Sequence, residues 1–225
     1  MDITRHRTLF NSERFNTPIQ VIGCGASGSF LVLQLAKLGI RPELINIYDD
    51  DIIESHNIAN QCFLPQQVGQ HKAEAIREVS SLFAGDEYKN IRICRERIGS
   101  ERIRLPGYVF CMTDTMLSRE TIWKKQIKLN QHVELYIEPR MGVDLIHLYT
   151  VKPLDIAKHK KYEDTLYGDE VAEVSACGTS LTIIPSAMIV ASLCVKALID
   201  YNRNEKLEYS SMLFDTMYGN LVCEQ

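Results

Sequence analysis

The stretch Ile19-Gln20-Val21-Ile22-Gly23-Cys24-Gly25-Ala26-Ser27-Gly28 decides how this chain is read. It opens as a short, largely apolar run, a strand by composition, and enters a glycine cluster spaced Gly23-x-Gly25-x-x-Gly28. A helical pattern follows in Phe30, Leu31, Leu33, Leu35, Ala36 and Leu38, and it stops at Gly39, a residue suited to ending a helix. After Pro42, the run Leu44 to Tyr48 predicts a second strand that ends in Asp49-Asp50-Asp51. Strand, tight glycine turn, helix and strand in this order form the βαβ unit of a parallel sheet.

The rest of the chain continues the alternation. Ala73, Ala75, Ile76, Val79 and Leu82 give one apolar face to a helix over about 69–83. Strands are expected at 90–95 and at Tyr108 to Met112, the latter ending in Thr113-Asp114. A helix over 117–129 and strands at 133–137 and 145–151 follow. The polar stretch that starts at Asp155 reads as an exposed, mobile crossover reaching Cys177. A helix from about Ile184 to Tyr201 comes next, then a closing hairpin, 207–214 and 220–223, turning near Gly219. The expectation is one unit, 1–225, with an N-terminal arm at 1–18. Its fold class is α/β: a Rossmann-like doubly wound sheet with an antiparallel C-terminal extension.

The totals narrow the function classes. The chain has 225 residues, 45% hydrophobic and 24% charged, which is enough to bury a large core without cross-links. A net charge of −4 offers no excess of cations for phosphates or anionic lipid, so no nucleic-acid or membrane partner is expected. The cysteines number seven and include no C-x-x-C pair, which predicts reduced thiols in a cytoplasmic setting and no zinc. The first residues lack the apolar core of a signal peptide. Ile183 to Ile199 is interrupted by Pro185, Ser186, Ser192 and Lys196, is short for a bilayer crossing and reads as a buried helix.

The glycine cluster carries the first chemistry. Glycine lets the backbone turn sharply and approach a phosphate without a Cβ, and the free N–H groups at the helix start then meet the anion. Gly23, Gly25, Ser27 and Gly28 are therefore candidate nucleotide contacts, and Asp49 or Asp51 would hydrogen-bond the ribose hydroxyls. A tight strand–helix turn without a ligand has the same pattern, and so does an NAD-dependent oxidoreductase.

The next segment separates these readings. Asp49-Asp50-Asp51-Ile52-Ile53-Glu54-Ser55-His56-Asn57-Ile58-Ala59-Asn60-Gln61, followed by Gly69-Gln70-His71-Lys72, resembles the pattern D-x-D-x-V-x-x-x-N-x-x-R-Q then G-x-x-K of ThiF, MoeB and the ubiquitin-activating enzymes. Thr113-Asp114 resembles that family's strand-end T-D, and Asp215 to Gly219 resembles its closing D-x-M-x-G hairpin. The four motifs occur in order over roughly residues 19–223.

The resemblance implies an ATP-dependent adenylyltransferase that activates the C-terminal carboxylate of a small ubiquitin-like or sulfur-carrier protein and acts as a homodimer. ATP and Mg²⁺ are the implied cofactors. Lys72 neutralises phosphate charge, Asp114 holds Mg²⁺ against the triphosphate, and Asn57 and Gln61 offer neutral donors. A solvated helix-face lysine at 72 and a helix cap at 114 are the plain alternatives. Two further readings stay open: a nucleotide- or partner-binding scaffold without activity, and an activator of a small molecule or RNA base.

One position departs from the pattern. Asn60 stands where the family has arginine, and asparagine cannot replace a cation. Arg140, in Glu138-Pro139-Arg140, is the candidate replacement, with a structural ion pair as its alternative; Arg5 and Arg7 could instead reach a partner subunit's ATP, as the resemblance implies. Cys177 lies before an apolar helix, in the region where relatives carry a sulfur-accepting or thioester cysteine. A thiol near a helix N-terminus can act as a nucleophile, so transfer to Cys177 is a further expectation, against a small residue packing a turn.

Overall fold

The computed structural model describes residues 2–99, 101, 103–142, 144–168, 183–204, 207 and 209–225. Strand β1 (Ile19–Ile22) is buried throughout and leads through the glycine loop into α1 (Ala26–Lys37). Next come β2 (Ile45–Tyr48), α2 (Lys72–Ala84), β3 (Arg92–Cys94) and β4 (Gly107–Cys111). Helix α3 (Met116–Ile122) continues as a π-type turn over Trp123–Ile127. The second half holds β5 (Val133–Met141), β6 (Leu145–Val151), α4 (Ile156–Glu163), α5 (Ile184–Asn204), β7 (Ser211–Asp215) and β8 (Asn220–Glu224).

All eight strands join one sheet in the order β3-β2-β1-β4-β5-β6-β7-β8. The first five are parallel where they pair, and β5-β6-β7-β8 are antiparallel. The expected Rossmann-like sheet with an antiparallel extension is therefore present. The strand order reverses between β1 and β4, and open sheets of this kind bind ligands outside the carboxyl ends of the strands at such a point.

Each face of the sheet has its own core. On one face α1, α2 and α5 bury Leu31, Leu35, Ile76, Val190 and Leu198 against Ile19, Val21 and Phe110. Helix α5, 21 residues and apolar enough by length and composition to span a bilayer, packs here on α1 and the sheet. On the other face Trp123, Tyr136 and Tyr162 cluster with Val109 and Val151. The N-terminal arm is anchored by Ile3, Phe10 and Phe15, all buried.

One expected feature differs. The start of the polar crossover is helix α4, not an exposed mobile loop, and it buries His159 and Tyr162. His159 Nε2 lies 2.9 Å from the Pro153 carbonyl oxygen, and Trp123 Nε1 donates to Glu163 at 2.8 Å. A few aromatic and hydrogen-bonded anchors seat this otherwise charged helix on the sheet. Cys177 and the rest of 169–182 lie outside the described residues.

Candidate functional site

The glycine loop is shaped by two close approaches and one opening. Gly23 has φ +94°, and a Cβ there would lie 2.9 Å from the Met112 carbonyl oxygen, so the loop packs directly on the end of β4. A Cβ on Gly28 would lie 2.1 Å from the Gly23 carbonyl oxygen, which explains the third glycine by packing alone. Gly25 differs, because a Cβ there would meet nothing within 4 Å. Gly25 also starts α1, which has no side-chain cap, and the first-turn amides around half-buried Ser27 have no intrahelical acceptors. The opening suits a phosphate, with Gly25 keeping the approach clear.

Asp49, at the end of β2, is only 8% exposed and clamps this loop. Its Oδ2 accepts from the Cys24 amide and its Oδ1 from the Asp51 amide at 2.9 Å. Burial raises its pKa, and the two amide bonds oppose that rise. Burial likewise pushes the Cys24 thiol up, so that cysteine is inert packing.

Lys72 begins α2 and is not a solvated helix-face lysine. Its side chain is buried, and Nζ lies 2.7 Å from Oδ2 of Asp51, which is largely exposed. Asp51 and Lys72 also share a main-chain hydrogen bond of 3.0 Å. Asn57 is buried and its Oδ1 accepts from the Glu54 amide at 2.9 Å, capping the 3₁₀ turn Ser55–Ala59. The Gln61 amide closes onto the Asn57 carbonyl, and Gln61 Oε1 is buried with no hydrogen-bond partner among the described residues. An unfilled buried acceptor beside a phosphate loop is a place for a donor from a ligand.

Asp114 stands exposed just past β4. The cap of α3 is Thr115, whose Oγ1 accepts from the Ser118 amide at 3.2 Å, so the capping role falls to the next residue. Among the described residues no three His, Cys, Asp or Glu side chains group to hold a metal. Magnesium against a triphosphate needs only one or two carboxylates, with phosphate oxygens and water completing the shell, and the Asp114 carboxylate fits that role.

Arg140 is not available for phosphate. It is buried, its Nε lies 2.6 Å from Glu138 Oε1, and its two terminal nitrogens donate to the carbonyl and hydroxyl of Thr165 at 2.6 and 3.0 Å. Its guanidinium also covers the Tyr149 ring at 4.3 Å. These contacts consume the cation in joining β5 to the end of α4, so the ion-pair alternative describes it and its expected role beside Asn60 does not. Arg7 pairs with Glu13 at 2.7 Å on the surface, and Arg5 is exposed. Arg119 and Glu138 escaped the sequence reading. The signal for Glu138 was a carboxylate directly abutting the apolar run Leu135-Tyr136-Ile137.

The fold is shared with solved structures. Among solved structures the chain is similar to PaaA, with a TM-score of 0.71 and 16% identity over all of this chain and 68% of that one. It is similar to E. coli MccB with ATP, at a TM-score of 0.66 and 17% identity over 97% of this chain and 66% of that one. MccB in complex with N-formylated MccA gives a TM-score of 0.65 and 17% identity over 93% and 64%. The chain thus spans about two thirds of the length of these proteins, and the likeness is one of fold. No curated protein matches the sequence significantly. The ThiF family model matches residues 10–220. Matched over well beyond half of its length, this chain belongs to the ThiF family.

Proposed function

We propose that the chain is an ATP-dependent adenylyltransferase acting on the C-terminal carboxylate of a peptide or small protein. The observation that carries the reading is the convergence at the sheet's switch point. The open face of Gly25, the Asp49-clamped loop and the Asp51–Lys72 pair lie at the ends of β1 and β2, and Asp114 follows β4, which touches Gly23. An NAD enzyme has no use for a cation and a carboxylate beside a third phosphate. The MccB structures solved with ATP and with MccA support the same reading.

In this reading the α1 amides and Lys72 bind the phosphates, while Asn57 and Gln61 contribute neutral hydrogen bonds. Asp114 would hold magnesium, which would supply positive charge to the triphosphate. The substrate carboxylate oxygen bonds to the α-phosphorus, the α–β phosphoanhydride breaks, and pyrophosphate leaves with the electron pair. The acceptor we favour is a ubiquitin-like or sulfur-carrier protein, with the enzyme as a cytoplasmic homodimer. Transfer to Cys177 would then release AMP and form a thioester.

ATP–pyrophosphate exchange in the presence of the acceptor tests the first step: Asp114→Ala should abolish it while leaving the fold intact. Cys177→Ala should keep exchange and lose any reductant-sensitive adduct. A second reading, a nucleotide-binding scaffold without chemistry, is favoured by Asn60 and by the commitment of Arg140 to Glu138. Binding of ATP without exchange under any acceptor would select it.

A further inference from the structure

Two guanidinium groups share one carboxylate behind the Asp114 turn. Glu138 is fully buried; its Oε1 lies 2.6 Å from Arg140 Nε and 3.3 Å from Arg119 Nε, and Oε2 accepts from the Tyr162 hydroxyl. Arg140 is saturated by Glu138 and Thr165. Arg119 is not. Its Nε is within ion-pair reach of Glu138 but out of hydrogen-bond alignment, a buried donor without an acceptor among the described residues. Its side chain is about 10% exposed, and Nη1 donates to the main-chain oxygen of Asp114 at 3.2 Å.

A structural ion pair needs one cation for this carboxylate, and Arg140 supplies it. A second buried guanidinium, half compensated and poorly aligned, costs free energy in the unliganded fold. Uncompensated strain of this kind concentrates where a ligand completes the arrangement.

We propose that Arg119 is a positioning residue for adenylation. It holds the Met112–Thr115 turn through the Asp114 carbonyl, so that the Asp114 carboxylate faces outward to Mg·ATP. Its surplus charge lies behind the site where phosphate charge gathers. This rests on the adenylation reading, and it locates a cation near the site of a chain that has Asn60 in place of the family arginine.

The test uses the full chain with Arg119→Met, Arg119→Lys, Asp114→Asn and the Arg119→Met/Asp114→Asn double variant. Denaturation without nucleotide and Mg·ATP calorimetry are the readouts. Arg119→Met should unfold at or above the wild-type denaturant midpoint, because Glu138 keeps Arg140. It should lose roughly tenfold to a hundredfold in Mg·ATP affinity, the scale of removing a residue that orients a metal ligand. The double variant should be no weaker than Asp114→Asn alone, since the two act through one turn. Arg119→Lys should recover part of the affinity.

Unchanged Mg·ATP binding in Arg119→Met beside a normal wild type overturns the assignment alone, and so do losses that multiply in the double variant. A markedly lower midpoint or failure to fold in Arg119→Met makes the arginine structural and also overturns it. A wild type that binds no Mg·ATP overturns the adenylation reading and this assignment together.

Discussion

The Lys72 ammonium lies 2.7 Å from the Asp51 carboxylate, with the lysine buried and the aspartate turned largely to solvent. The pair keeps a cation ready at the mouth of the glycine loop while leaving its partner able to let go when phosphates arrive. A half-exposed pair of this kind adds at most about 1 kcal/mol to stability. Lys72→Met should therefore change the unfolding midpoint little, while ATP affinity falls on the order of tenfold or more, the scale of one charge-assisted contact. Calorimetry beside urea denaturation checks both, and a large stability loss with unchanged affinity would make Lys72 a scaffold residue.

Gly25 and Gly28 should respond in opposite ways. Gly28→Ala forces a Cβ to 2.1 Å from the Gly23 carbonyl oxygen, backbone that cannot swing aside. It should destabilise the fold by on the order of 3 kcal/mol. Gly25→Ala adds a Cβ that meets nothing within 4 Å and should leave the melting temperature within a few degrees, yet crowd the phosphates and weaken ATP binding. Equal effects of the two variants on stability would contradict the assignment of Gly25 to the ligand.

Removing Arg140 leaves Glu138 buried beside an ill-aligned Arg119 and frees the end of α4 from Thr165. Arg140→Ala should cost about 3–5 kcal/mol of stability, the range for breaking a buried pair. Under conditions where the variant is folded, ATP affinity should stay within a few-fold of wild type. Loss of ATP binding in a stable variant would return Arg140 to the nucleotide site.

Much of this was legible in the sequence because local signals agreed. The Gly23-to-Gly28 spacing, the apolar face of α1 and the acid run after Tyr48 each pointed to a parallel βαβ unit, and the structure has it. Polar composition misled at α4, where Tyr162, His159 and Glu163 find partners on Trp123 and Glu138 that lie far from them in sequence. Arg140 misled for a related reason. A charged residue just past an apolar run looks like a site, and only the fold reveals Thr165 and Tyr149 enclosing it. The sequence points to Asp49 or Asp51 as a ribose ligand, while the clamp of Asp49 on the Cys24 amide depends on a loop closure that spacing does not encode.

The glycine loop, Lys72 and Asp114 are proposed to form one site for a triphosphate with magnesium. The most direct measurement is calorimetric titration of the purified chain with ATP and with NAD, each with and without Mg²⁺. ATP should bind more tightly than NAD, Mg²⁺ should strengthen ATP binding, and Asp114→Ala should remove the Mg²⁺ enhancement. Tighter binding of NAD than of ATP, indifferent to Mg²⁺ and to Asp114, would contradict the proposal.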